Sequence, residues 1–130
     1  MRKLLPLLLG GLALVAAPAQ AADQPDREAE LARALEGRVA GDPVDCINLR
    51  SVSSSTIIQD TAILYRVGST IYVNRPRAGA ESLDRSDTMV TRLNSSRLCS
   101  IDTIRMVDPV ARFTRGTVFL GEFVPYRRAE

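Results

Sequence analysis

Residues 62–74 have the sequence Ala-Ile-Leu-Tyr-Arg-Val-Gly-Ser-Thr-Ile-Tyr-Val-Asn, the clearest strand pattern in the chain. Gly68-Ser69 in its middle fits the Gly-X requirement of a two-residue type II′ turn, so the segment predicts an antiparallel β-hairpin. The turn also fixes the register of the two strands. The predicted pairs are Val67 with Thr70, Arg66 with Ile71, Tyr65 with Tyr72, and Leu64 with Val73. Because directly opposed residues share a face, the two tyrosines should stand side by side on one face of the sheet.

The N-terminus has the three-part pattern of a secretory signal peptide, which bears on how the rest of the chain is interpreted. Arg2 and Lys3 form a positive n-region, residues 4–17 form an apolar h-region, and residues 18–21 form a small-x-small cleavage pattern. The apolar run is too short and too weakly flanked for a stable membrane span, although an uncleaved N-terminal anchor is the alternative. We therefore predict that residues 1–21 are cleaved after Ala21 and that the mature protein is periplasmic, without a membrane span.

The hairpin lies between Cys46 and Cys99, the only two cysteines of the sequence. In an exported chain two cysteines favour a disulfide bridge over two free thiols. The alternative is a pair of buried thiols in a protein that never meets an oxidant. A bridge across a loop of this length would constrain the denatured state by about 4 kcal/mol on chain-entropy grounds.

The net charge of the mature chain gives no support for a nucleic-acid partner. The full sequence has 17 basic and 15 acidic residues, but two of the basic ones are Arg2 and Lys3. The mature chain therefore carries 15 of each and is formally neutral. A basic precursor is thus no evidence for nucleic-acid binding, and we predict none.

The mature length of 109 residues fits one domain, with a polar arm and a short helix at residues 22–43 and a single β domain at residues 44–128. Residues Arg27–Glu36 are strong helix formers, with Asp26 as the predicted N-cap and Gly37 as the predicted C′ stop. The predicted apolar stripe consists of Leu31, Ala34 and Leu35. A stripe this narrow suits a helix that lies on a sheet.

Short strand patterns separated by turn signals fill the β domain. Besides the hairpin, they cover Val44–Leu49, Leu49–Gln59, Thr88–Leu93, Arg97–Cys99, Ile101–Val107 and Thr117–Val124. The serine and threonine content of Leu49–Gln59 suits a solvated or edge strand. Thr117–Val124 is nearly continuous in apolar residues, as expected for a strand buried on both faces or bent at Gly121. The fold prediction is mainly β: a small sandwich or barrel of six or seven short antiparallel strands with one short N-terminal helix.

Four segments of the sequence resemble those of a family of short exported bacterial proteins that is classed only as a domain of unknown function. They are Asp45-Cys46-Ile47-Asn48-Leu49, Thr70-Ile71-Tyr72-Val73-Asn74-Arg75-Pro76, Arg97-Leu98-Cys99-Ser100-Ile101-Asp102 and Leu120-Gly121-Glu122-Phe123-Val124-Pro125-Tyr126. The family pattern often has two further cysteines, which would fall near Ala80 and Val118, and this chain has neither. The resemblance implies export and a compact domain, with Cys46–Cys99 as the natural pairing here. It implies no activity.

Residue types that are missing argue against most enzymatic chemistry. The sequence has no histidine and, after the signal, no lysine, which removes Ser-His-Asp, Cys-His and Ser-Lys catalysis, Schiff-base chemistry and histidine-bearing zinc sites. The two cysteines lack CxxC spacing, and no glycine-rich phosphate loop is present. We therefore predict a protein that is not an enzyme and has no cofactor and no metal.

Three candidate sites survive these exclusions. One is an acid/base pair among the carboxylates Glu81, Asp84, Asp87, Asp102, Asp108 and Glu122, although scattered carboxylates are usually a solvated surface. Another is a calcium site at Glu81, Asp84 and Asp87, which lacks the EF-hand spacing. The third is a binding surface made of Tyr65, Tyr72, Arg66, Arg75 and Arg77, extended by Tyr126-Arg127-Arg128, which are residue types enriched at interface hot spots. Its alternative is that the tyrosines pack in the core or on the helix.

The sequence as a whole favours an exported, non-enzymatic protein of the cell envelope that acts by binding or by structural support. Its partner would be an unknown envelope protein or a small ligand. Two alternatives stay open: a small-ligand carrier that uses a barrel interior or the tyrosine face, and a carboxylate-dependent hydrolase.

Overall fold

The computed structural model describes residues 10–14 and 23–130. Apart from residues 10–14, the predicted signal peptide lies outside the described residues. Within the described part of the chain, none of the helices has both the length and the apolar character needed to cross a membrane.

The described residues form one α-helix, ten β-strands and two 3₁₀ turns, which confirms the mainly β prediction. The helix α1 is Asp23–Ala34, and the strands are β1 Arg38–Ala40, β2 Cys46–Asn48, β3 Val52–Ile58, β4 Ala62–Val67, β5 Thr70–Asn74, β6 Thr88–Val90, β7 Arg97–Cys99, β8 Thr103–Val107, β9 Thr114–Phe119 and β10 Phe123–Arg128. The 3₁₀ turns are Leu49–Ser51 and Ala80–Ser82. The structure has more strands than the six or seven expected, because β1 had no strand pattern in the sequence and the run Thr117–Val124 contains the ends of two strands.

The strands form three antiparallel sheets that stack as a small sandwich. The largest sheet has the order β1-β10-β5-β4-β3, while β2-β7 and β6-β8-β9 form two smaller sheets. One face of the five-stranded sheet packs against both smaller sheets through Ile63, Tyr65 and Phe123, which share a core with Leu98 and Ile104. The other face is covered by α1, whose Leu31 packs against residues such as Leu64, Ile71 and Val73. Both faces of the large sheet are therefore covered over its central strands, and the sandwich is the predicted alternative that forms.

The central hairpin has the predicted register. Its pairs are Val67 with Thr70, Arg66 with Ile71, Tyr65 with Tyr72, and Leu64 with Val73. Gly68 has φ +59°, whereas Ser69 does not have a positive φ, as a type II′ turn requires. Tyr65 and Tyr72 accordingly share the core face, and Leu64 and Val73 share the helix face.

The prediction of one strand over Thr117–Val124 was wrong. The chain leaves β9 at Phe119 and begins β10 at Phe123, so the apolar run consists of two strand ends in different sheets. Gly121 lies in the connection, where a Cβ would overlap the carbonyl oxygen of Arg75. The run is apolar throughout because Val118, Leu120 and Phe123 all reach the same core.

The helix begins four residues before the predicted start, so Asp26 is a helical residue and not the N-cap. Pro25 lies in the first turn, where a proline is tolerated because its missing N–H has no intrahelical acceptor. Gly37 has the positive φ (+76°) expected of a residue that stops a helix, but the helix ends earlier than the predicted Glu36, at Ala34. Leu31 is buried and Leu35 half-buried as predicted, but Ala34 is exposed.

Cys46 and Cys99 form the predicted disulfide, which bridges 53 residues of sequence. The two cysteines are directly opposed in the β2-β7 pair. The backbone around them is tied by Ser100 N, which donates to Asp45 O at 2.8 Å, and by Cys99 N, which donates to Asp102 Oδ2 at 2.7 Å. The bridge therefore holds together a two-stranded sheet of only three residues per strand.

Candidate functional site

The predicted tyrosine and arginine residues do not form one surface. Tyr65 is only 4% exposed, and its ring lies 6.0 Å from that of Phe123 in the core. Burial raises the pKa of Tyr65 above its ordinary value of 10.0. Tyr72 is half-buried against the same core. The tyrosines are thus core residues, as the alternative interpretation held, and they offer no face for a ligand.

The three arginines of that predicted surface differ in their surroundings. Arg66 is exposed on the helix face of the sheet, opposite Tyr65 in the alternation of β4. Arg75 forms a two-pronged ion pair with Glu28 of α1, with both N–O distances at 2.8 Å. This hydrogen-bonded pair raises the pKa of Arg75 and lowers that of Glu28. Arg77 is exposed, and its backbone N–H donates to Phe119 O at 3.0 Å.

The C-terminal extension of the predicted surface, Tyr126-Arg127-Arg128, lies in β10. Tyr126 packs on the helix-side core, and Arg128 is directly opposed to Arg38. The Arg38 guanidinium donates to the carbonyl oxygens of Ser69 and Tyr126, at 2.6 and 3.2 Å. Desolvation first, and then the charges of Arg128 and Arg66, lower the pKa of Arg38. Three arginines therefore cluster at this corner of the sheet.

Most of the six candidate carboxylates have structural partners. Asp84 and Asp108 accept backbone N–H groups of the turns that follow them, which lowers the pKa of each. Asp102 caps Cys99 N. Glu81 and Glu122 are exposed. Within residues 10–14 and 23–130, no group of three or more histidine, cysteine, aspartate or glutamate side chains is placed to hold a metal ion.

Asp87 is the one candidate carboxylate whose side chain is fully buried. Its Oδ2 accepts from Arg115 Nε at 2.6 Å, while its Oδ1 has no hydrogen-bond partner among the described residues. Arg115 also donates to Asp108 Oδ2 at 3.1 Å, and its guanidinium carbon lies 5.6 Å from the centre of the Phe113 ring. This network ties the loop before β6 to β9.

The feature best suited to binding is the open edge of β3. Among the described residues, β4 is the only strand hydrogen-bonded to β3. The run from Ser53 to Thr56 is exposed, and the strand contains no charged residue and no proline. A β-bulge between Val52 and Ser54 leaves the stretch after it in regular register. Such an edge presents unpaired backbone N–H and C=O groups to a further strand.

Two clefts flank this edge, one on each face of the sheet. The core-side cleft has a volume of about 510 Å³ and is lined by Glu30, Ser55, Thr56, Ile57, Arg85, Asp87 and Met89. The helix-side cleft has a volume of about 220 Å³ and is lined by Ala34, Ser54, Thr56, Leu64, Arg66 and Ile71. The helix-side cleft lies where the small side chains of Ser54, Thr56 and Ala34 meet Leu64 and Ile71, which are themselves buried.

No family model matches the chain, and no match is found among curated proteins or among solved structures. The candidate site is therefore defined by its own geometry. The serine and threonine content of β3 had already predicted an edge strand. The clefts had no signal in the sequence, since α1, β3 and β6 contribute to them from separate parts of the chain.

Proposed function

We propose that this chain is an exported, non-enzymatic protein of the cell envelope that binds an extended segment of a partner protein by β-strand addition at β3. The observation that carries the proposal is an open, uncharged edge strand with a cleft on each face. In strand addition, backbone hydrogen bonds supply affinity, and clefts that receive alternate side chains supply specificity. Export is supported by the N-terminal signal pattern, and the disulfide agrees with an oxidising compartment.

The other sheet edges are less suited to this role. The edge strands β1 and β6, and both strands of the β2-β7 pair, have three residues each. The edge of β9 is partly covered, because Phe119 N donates to Ala78 O at 2.9 Å and Ala78 bridges Phe119. Among the edges of the described sheets, β3 is therefore the longest that stays open.

The clefts indicate the chemistry of the partner segment. On the helix side, Arg66 lines the cleft, and the positive charges of Arg128 and Arg66 contribute to lowering the pKa of the nearby Arg38, after desolvation. None of these three arginines has an ion pair among the described residues. Unpaired positive charge favours an acidic side chain, so the segment should place an acidic residue on its helix-facing side.

The alternative functions have weaker support from the geometry. A carrier would need a ligand space, but the sheets stack as a sandwich and the tyrosine face lies in the core. A hydrolase would need two converging carboxylates; Glu30 and Asp87 do line one cleft, but each is ion-paired with an arginine. These pairs favour a structural role for both carboxylates.

Selection of peptides from a random display library on the folded protein tests the proposal. We expect enriched peptides with an extended, alternating pattern, and binding should protect the amide hydrogens of β3 from exchange. The matched variants are Ser54→Pro and Ser55→Pro. Because N–H groups alternate in direction along a strand, one of these prolines removes an outward N–H and the other an inward one that pairs with β4.

The proline variant that keeps the wild-type stability is the informative one, and it should lose peptide binding. Peptides that still bind this variant, or that protect residues away from β3, would contradict the proposal. A dimer that forms without peptide and protects β3 would assign the edge to a second copy of the chain, and would likewise contradict a partner segment.

A further inference from the structure

The segment from β6 to β9, which contains the three-stranded sheet β6-β8-β9, differs in charge from the chain as a whole. Residues 88–119 contain five arginines and two aspartates, whereas the mature chain as a whole is formally neutral. The arginines are Arg92, Arg97, Arg105, Arg112 and Arg115. Only Arg115 has an ion pair among the described residues, with Asp87 and Asp108. Uncompensated positive charge is therefore concentrated on this part of the fold.

Two of these arginines line one shallow cavity on the outer face. The cavity has a volume of about 360 Å³ and is lined by Val90, Arg92, Thr103 and Arg105. Val90 and Arg105 are directly opposed on β6 and β8, so they share this face. The lining offers two guanidinium groups and a threonine hydroxyl, which are donors that suit a phosphate oxygen, and it contains no carboxylate.

Exposed apolar side chains lie on the same sheet and in the connections at its two ends. Phe119 is directly opposed to Thr103 and is 41% exposed. Ile101, two residues before Thr103, is 79% exposed. At the other end of the sheet, Val110 and Phe113 of the β8-β9 connection are exposed as well. Large apolar side chains on a basic face are typical of surfaces that dock on anionic bilayers, where arginines meet phosphates and aromatic rings enter the interface.

We propose that this face, defined by Val90, Arg92, Thr103, Arg105 and Phe119, docks the protein on the surface of a bilayer that contains anionic phospholipid. Arg92 and Arg105 bind the headgroup phosphate in the cavity, and Phe119 and Ile101 contact the interfacial region. The face lies on the small sheet, in the layer opposite α1, and its role does not depend on strand addition at β3.

Vesicle flotation tests this assignment, with phosphatidylglycerol-containing vesicles compared with pure phosphatidylcholine vesicles. The double variant Arg92→Ala/Arg105→Ala should partition about 30-fold less, since each arginine near an anionic surface contributes roughly fivefold. The matched control is Arg33→Ala/Arg127→Ala, which removes the same charge from exposed positions outside this face. Phe119→Ser should weaken binding while leaving the net charge unchanged.

The expected result is binding to the anionic vesicles that falls with salt, is lost in Arg92→Ala/Arg105→Ala and is kept in Arg33→Ala/Arg127→Ala. Equal losses in the two double variants would overturn the proposal, because they would show a response to net charge alone. Absence of binding to anionic vesicles would overturn it too, as would binding of inorganic phosphate with no vesicle binding, which would assign the cavity to a soluble anion. Thermal unfolding of each variant confirms that the fold is kept.

Discussion

Asn74 pairs with Gly121 through its side chain as a neighbouring strand would through its backbone. Its Nδ2 donates to Gly121 O at 2.7 Å, and Gly121 N donates to its Oδ1 at 3.0 Å. Asn74 is fully buried at the end of β5, beside the point where the chain passes from β9 to β10. The amide thus satisfies both backbone groups of Gly121 at a break in the strand ladder.

Asn74→Ala should destabilise the fold by about 2–5 kcal/mol, because it leaves a buried N–H and a buried C=O without partners. Urea denaturation followed by circular dichroism measures the change. Asn94→Ala, at an exposed turn, is the control and should stay within about 0.5 kcal/mol of wild type. Equal unfolding midpoints for the two variants would show that the pairing adds nothing to stability.

Gly79→Ala should destabilise the protein more than Gly37→Ala. Both glycines have positive φ, +81° and +76°, so each alanine carries a backbone cost of about 1–2 kcal/mol. A Cβ at Gly37 would meet nothing within 4 Å. A Cβ at Gly79 would overlap the carbonyl oxygen of Thr117, so the backbone around Gly79 would have to move away from β9. The difference between the two unfolding free energies isolates the steric part, and similar values would argue against a close contact at β9.

The disulfide should be a major contributor to stability. Reduction should add two hydrogen atoms to the intact mass, and Cys46→Ala/Cys99→Ala should lower the free energy of unfolding by about 4 kcal/mol for a loop of this length. The β2-β7 pair that the disulfide joins is short. In the variant without the disulfide, the β2-β7 sheet should therefore be the first of the three sheets to lose amide protection in hydrogen exchange. A uniform loss of amide protection across all three sheets in this variant would show that the disulfide does not act locally on the β2-β7 pair.

The central hairpin could be predicted from sequence because its signals are local: a Gly-Ser turn and two alternating runs. The disulfide and the stop at Gly37 were likewise predictable from residue type and compartment. The strand β1 could not be predicted, because three residues are too few to show alternation, and the division of the strands into three sheets is set by the tertiary fold. The break between β9 and β10 at Gly121 could not be predicted, because the apolar residues before and after it are buried in the same core.

The candidate site was predictable only in part. The edge character of β3 follows from its serine and threonine content, but the exposure of Tyr65 depends on what covers each face of the sheet. The predicted hairpin register places Tyr65 and Tyr72 on the same face, but it does not predict that the two smaller sheets cover this face. The basic face around Arg92 and Arg105 has no sequence motif, because it joins residues from β6, β8 and β9 through sheet register.

Glu28 and Arg75 should make stability depend on pH in acid. Their ion pair lowers the pKa of Glu28 below its ordinary value of 4.5, so the stabilisation is present above that pH and is lost as the pH falls through the folded-state pKa. Both side chains are about half exposed, which limits the effect to below about 1 kcal/mol.

Thermal unfolding of Glu28→Gln and wild type should differ at about pH 7, and the difference should shrink at about pH 3, because the carboxylate of wild type takes up a proton as the pH falls through its lowered pKa. Glu36→Gln, an exposed carboxylate just after α1, is the control and should follow wild type at both values. A difference that persists in acid would mean that Glu28 acts through packing and not through its charge.

Arg115→Ala should destabilise the fold more than the double variant Asp87→Ala/Arg115→Ala. The single variant leaves the fully buried Asp87 carboxylate, whose Oδ1 already lacks a partner among the described residues, without its remaining hydrogen bond to a cation. Removing both partners also removes the uncompensated buried charge. A double-mutant cycle by urea denaturation gives the coupling, and additive losses would show that the pair is not coupled. Asp108→Ala is the matched comparison: Asp108 accepts from the same arginine but is partly exposed, so its loss should be smaller.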